Sequence, residues 1–153
     1  MRILFAVATL ALIAACTNDK PTPSVDLTYD DAERVVVENF TAVWPVRPTV
    51  TTSRGPGCGT NAAGMSEGPP WAAIMSEDVY NPSQEFIDKT LANLEAMTAH
   101  GFSRRPDAVP GDDPVNRSYE DERGFSIAVG RYAGASPDGV KFGVTAKGPC
   151  IDE

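Results

Sequence analysis

The sequence predicts an α+β domain: an antiparallel sheet of about four to five strands, with two helices packed on one face and one disulfide. Three observations carry this reading. Two segments repeat apolar residues at helical spacing between capping signals, the C-terminal third alternates apolar and polar residues, and two cysteines lie 92 positions apart. The order of elements is α, β, β, α, β, β, β, which places helices over a sheet rather than between parallel strands.

The first helix is expected over residues 28 to 43, "TYDDAERVVVENFTAV", where Ala32, Val35, Val36, Phe40 and Val43 share one face. Thr28 is placed to cap it with Asp31 three residues on, acidic residues fill its first turn, and Pro45 ends the run. "TVTTS", residues 49 to 53, is β-rich and reads as a strand leading into a glycine-rich loop, "RGPGCGTNAAG", residues 54 to 64. "WAAIM", residues 71 to 75, is a second short strand, and residues 64 to 70 carry no clear assignment.

The second helix has the clearest local signal. Asn81 or Ser83 caps it, Pro82 stands at or near its first position, and Phe86, Ile87, Leu91, Leu94 and Met97 form its apolar stripe. Gly101 followed by Phe102 is a C-terminal stop with its hydrophobic contact. Residues 103 to 116, with three prolines, read as an exposed polar loop. "RSYED" and "FSIAVGRYA" flank the turn "ERG", "GASPDG" at 134 to 139 is turn chemistry, and "VKFGVTA" alternates Val140, Phe142 and Val144 with small or polar residues.

Composition narrows function mainly by exclusion. The chain of 153 residues carries 13 basic and 21 acidic residues, a formal charge of −8, with no basic cluster. Nucleic acid is therefore not an expected partner, because phosphate binding gathers Lys and Arg on one face. Attachment to an anionic lipid surface must likewise come from something other than charge.

The N-terminus supplies that attachment. Arg2 precedes twelve uncharged apolar residues, 3 to 14, too short to span roughly 30 Å of hydrocarbon but the right length for the apolar core of a signal peptide. The run ends in "IAAC", Ile13 to Cys16, which looks like a bacterial lipobox: a branched residue, two small ones, then the cysteine that is lipidated. Residues 1 to 15 then read as a lipoprotein signal peptide, 16 to 25 as the lipidated N-terminus and a polar, proline-bearing tether, and 26 to 153 as one globular domain. Loss of residues 1 to 15 removes Arg2 and leaves 12 basic against 21 acidic residues, a formal −9. The expected modification is a diacylglyceryl group on Cys16, with N-acylation as a further step. Two acyl chains at about 0.8 kcal/mol per buried methylene make a stable anchor.

With Cys16 so used, Cys58 and Cys150 remain, and the exported side of a membrane permits their disulfide. A metal or redox pair is the alternative, but no CxxC or histidine-bearing cluster supports it. Lipobox, amphipathic helix, cysteine in a glycine-bearing loop, mid-chain helix, tyrosine-bearing strand and a closing "GPC" follow in that order. In this the chain resembles the small LppA-like lipoproteins of actinobacteria. Nine Arg against four Lys, with abundant Ala, Gly and Pro, agree with a GC-rich genome. The resemblance implies a cell-envelope location and a disulfide-bonded α+β domain, with Cys58 and Cys150 at the positions of the family's paired cysteines. It implies no catalytic residues.

No catalytic constellation emerges from the residues either. His100, the single histidine, sits at a helix C-terminus without a nucleophile or carboxylate arranged beside it. Asp107, Asp112 and Asp113 lack EF-hand spacing and read as solvated loop charge. The 54 to 64 loop has two readings: a nest of backbone N–H groups holding an anion with help from Arg54, or a segment that lets Cys58 reach Cys150. Trp71 is either core beside the disulfide or, with Arg54, part of a binding surface. No metal site and no cofactor beyond the lipid is expected.

The functional expectation is a non-enzymatic lipoprotein on the extracytoplasmic face of a membrane, presenting its domain to an envelope protein or cell-wall component. The alternative is a carrier or sensor of a small apolar or amphiphilic ligand held between the sheet and the second helix. That role needs a cavity of several hundred Å³.

Overall fold

A computed structural model describes residues 27–107, 111–133 and 139–152. Cys16 and the segments assigned to signal peptide and tether lie outside the described residues, as do five of the six residues of the "GASPDG" turn.

Helix α1 spans Tyr29–Val43. Its N-cap is Thr28, whose Oγ1 accepts from the Asp31 N–H at 3.2 Å and donates to the Asp31 carboxylate at 2.8 Å. Ala32, Val36, Phe40 and Val43 are fully buried, so the expected stripe is the one that faces the core. Helix α2 spans Gln84–Ala96, capped by Ser83 through the Phe86 N–H, and a 3-10 turn, Met97–His100, extends it. Gly101 adopts φ +86°, a left-handed stop, and the Phe102 N–H returns to the Met97 carbonyl as Phe102 buries its ring.

Six antiparallel strands form one sheet in the order β1-β2-β6-β5-β4-β3. They are β1 Ser53–Thr60, β2 Ser66–Tyr80, β3 Ser103–Arg104, β4 Arg117–Glu120, β5 Ser126–Ala133 and β6 Val140–Lys147. Alternation holds as expected: Phe142, Val144 and Ala146 of β6 lie opposite Val129 and Ile127 of β5 and Met75 of β2 on the buried face. Both helices cover that face. α1 packs over β2 and β6, while Glu95 of α2 accepts from the Tyr119 hydroxyl of β4 at 2.6 Å. The Asn93 side chain donates to the Val43 carbonyl and ties the helices together.

Three expectations are corrected. Residues 49 to 52 are not a strand, because their polar groups are drawn aside: the Thr49 N–H and hydroxyl donate to the Glu77 carboxylate, and the Thr52 hydroxyl donates to Glu33. The supposed 54 to 64 loop is instead strand β1 through Thr60, and residues 66 to 70 of the unassigned stretch before Trp71 belong to β2. Glycine disguised this hairpin, since it is depleted in strands, yet here it is required. β2 passes so close that a Cβ on Gly57 would fall on the Glu67 backbone, and the pairing shifts register on either side of Gly57. Finally, the 103 to 116 segment is not loop throughout, because β3 pairs with β4 and the Arg105 N–H donates to the Ser118 carbonyl.

Candidate functional site

The strand register gives the sheet two distinct ends. At one, α1 begins, Trp71 exchanges backbone hydrogen bonds with Ile151, and Cys58 is bonded to Cys150. At the other, β2 finishes, β6 begins and α2 departs.

The α1 end holds both residues singled out as a binding surface. Arg54 and Trp71 do come together: the Arg54 guanidinium lies 5.5 Å from the Trp71 ring and 4.8 Å from the Tyr29 ring. Tyr29 was missed, because its place in the first turn of α1 marks it only as core. The two rings hold the cation by its attraction to their π faces. β1 structure replaces the backbone nest that would have held an anion beside Arg54. The loop acids do not converge: Asp107 pairs with Arg104, Asp112 accepts from Asn116, and Asp113 pairs with Arg131. Among the described residues no group of three or more His, Cys, Asp or Glu side chains is placed to hold a metal ion. His100 is exposed, lining a shallow groove of about 330 Å³ with Glu38, Asn39 and Arg123.

The opposite end carries more. On the face away from the helices, β2, β6 and β5 align Tyr80, Lys141 and Tyr132 in one cross-strand row. Strand spacing puts the two tyrosines about 10 Å apart with lysine between them. Tyr80 and Tyr132 are 51% and 58% exposed, and with Val140 they make three of the six large hydrophobic side chains exposed among the described residues. One row inward, Gly143 and Gly130 face each other. A Cβ on Gly143 would meet the Asp78 carboxylate and one on Gly130 the Tyr132 phenol, so the glycines are seats for these two side chains. Asp78 accepts from Lys141 at 2.7 Å, and that hydrogen bond holds the ammonium above its ordinary value.

On the helix side of the same end, a cavity of about 490 Å³ opens between the start of α2 and the ends of β5 and β6. Asn81, Pro82, Gln84, Ile87, Asp113, Arg131 and Val140 line it. Both Nε and Nη2 of Arg131 donate to one Asp113 oxygen, at 2.8 and 2.6 Å, and the other Asp113 oxygen accepts from the Val115 N–H at 3.0 Å. The Asp113 carboxyl is held below its ordinary value, first by the Val115 N–H and then by Arg131. Sequence alternation could have placed Arg131 on this face, since it follows Ile127 and Val129 at period two. A cation in that register is the signal that was not used.

Comparison with family models, with curated proteins and with solved structures found no match. No helix among the described residues is long and apolar enough to cross a membrane.

Proposed function

We propose that the chain is a bacterial cell-envelope lipoprotein of the LppA-like kind, anchored through lipidated Cys16 on the extracytoplasmic face. It acts without catalysis, engaging an envelope protein or cell-wall component with the end of its domain farthest from the start of α1. The observation that carries this reading is the exposed Tyr80–Lys141–Tyr132 row. Aromatic rings on a rigid sheet lose little conformational freedom on binding, and tyrosine offers both an apolar face and a hydroxyl. The lipobox "IAAC" supports the anchor, and the Cys58–Cys150 bond agrees with an oxidising compartment.

The test is site-specific photocrosslinking in cells that make the protein. A photoreactive residue at Tyr132 is expected to yield a discrete adduct, whereas one at Val37, on the outer surface of α1, is expected to yield none. Equal labelling at both positions, or none at Tyr132, overturns the assignment. Membrane fractionation of Cys16→Ser checks the anchor separately: release or mislocalisation is expected, and retention with unprocessed mass refutes the lipobox.

A further inference from the structure

We infer that the cavity between α2 and the ends of β5 and β6 binds a small uncharged amphiphile with an amide head and an apolar tail. This goes beyond the surface reading above and stands whether or not Cys16 carries lipid.

The size is sufficient, since about 490 Å³ falls within the range of small-molecule sites, and the space lies at the rim of the domain without interrupting the core. One side is apolar: Ile87 is 5% exposed and forms the floor, with Val140 and Pro82 beside it. The other side is polar, and its charge cancels. Arg131 and Asp113 neutralise each other at 2.6 Å, and among the described residues no other lining side chain is ionisable. A carboxylate head would have to sit beside Asp113 and an ammonium beside Arg131, each adding an unbalanced charge to a partly enclosed site.

Hydrogen-bonding capacity then selects the head group. Asp113 takes two of the five N–H donors of Arg131, leaving three, while Gln84 donates its amide nitrogen to Asp88 at 2.8 Å and keeps its carbonyl oxygen as an acceptor. A primary or peptide-type amide matches both. Its carbonyl accepts from Arg131, its N–H donates to Gln84, and its hydrocarbon covers Ile87.

Three probes of equal chain length test the inference: octanamide, octanoate and octylammonium. The full chain is placed in lipid nanodiscs with isoleucine methyl groups labelled for NMR. Octanamide is expected to shift the Ile87 methyl saturably while leaving that of Ile127, sealed in the core, in place, with a Kd at least tenfold below those of the two charged probes. Val140→Trp, at a position 39% exposed, is expected to fill the apolar side and weaken octanamide at least fivefold. Should that variant lose the native Ile127 signal, Gln84→Leu takes its place, with the preference for octanamide over octanoate expected to fall at least threefold. An unmoved Ile87 methyl, equal or tighter binding of a charged probe, or a folded variant that binds unchanged overturns the proposal.

Discussion

Breaking the Cys58–Cys150 bond should lower the melting temperature while leaving the fold in place. The bridge closes a 92-residue separation, so the chain-entropy model assigns it about 4.6 kcal/mol at 25 °C, at the upper end of the usual span of about 2 to 5. Most of that arises in the unfolded chain. In the folded state the same two segments are already joined by the paired Trp71–Ile151 backbone hydrogen bonds, at 2.9 and 2.8 Å, and by the β1–β2 hairpin. With an unfolding entropy of about 2.1 cal/mol/K per residue over about 130 folded residues, a loss of 2 to 4.6 kcal/mol is a drop of about 7 to 17 °C. The assay is thermal unfolding of the Cys58→Ser/Cys150→Ser double variant by circular dichroism, beside the parent with and without reductant. Spectra should agree at 25 °C and midpoints should differ. A midpoint lowered by less than 3 °C, with the parent shown to be oxidised, refutes the entropic account. A changed spectrum at 25 °C refutes the claim that backbone pairing holds this end unaided.

Other consequences are measurable in the same way. Gly57→Ala should cost about 2 to 4 kcal/mol in urea unfolding, because its Cβ falls on the Glu67 backbone, whereas Gly143→Ala should act locally by displacing the Asp78 carboxylate and releasing Lys141. Tyr119→Phe should cost about 1 to 2 kcal/mol, since the ring is buried and its hydroxyl donates to the charged Glu95. Asp113 has a folded-state pKa below its ordinary value, so its contribution is present above the ordinary carboxylate value and is lost as pH falls through the folded one. Stability measured from pH 6 down to pH 2 should therefore fall less steeply in Asp113→Asn than in the parent, and parallel curves would contradict the pairing with Arg131.

The legible parts of the fold were those where local chemistry and burial agree. α1 and α2 carry caps, stripes and stops in register, and the α2 boundary at Ser83, Gly101 and Phe102 could be read almost residue by residue. β5 and β6 alternate cleanly because one face is buried and the other is open. The β1–β2 hairpin was hidden because Gly55, Pro56, Gly57 and Gly59, followed by Gly68, Pro69 and Pro70, are residues that strands usually exclude. The edge position of β1 relaxes the rule for proline, and the near contact at Gly57 reverses the rule for glycine. The candidate site was less legible, because it is made by cross-strand register. Tyr80, Lys141 and Tyr132 are about 50 and 60 positions apart or adjacent only through a hairpin, and no local pattern sets them in one row.

Register also fixes how far the proposed recognition row lies from the end at which α1 begins. The row Tyr80–Lys141–Tyr132 lies six residues along β2 from the Ile74–Lys147–Ser126 row, a distance of about 20 Å. Tyr29, the first residue of α1, donates its hydroxyl to the Ser53 carbonyl beside that second row, so the chain enters the domain there. Ten residues, 17 to 26, separate Cys16 from Leu27, and the eleven steps between those two residues reach no more than about 40 Å even when fully extended. With Cys16 lipidated as proposed, a tether of that length would bound how far the α1 end can stand from the membrane surface, with the exposed tyrosines about 20 Å further along the sheet. The Arg54–Tyr29–Trp71 cluster, at the α1 end, packs its own cation between its own rings. If the tyrosine row is the recognition surface, shortening the 17 to 26 segment should reduce crosslinking at Tyr132 by drawing the domain inward, while substitution of Arg54 by Lys should leave it unchanged. Crosslinking that follows Arg54 instead would move the recognition surface to the opposite end of the sheet.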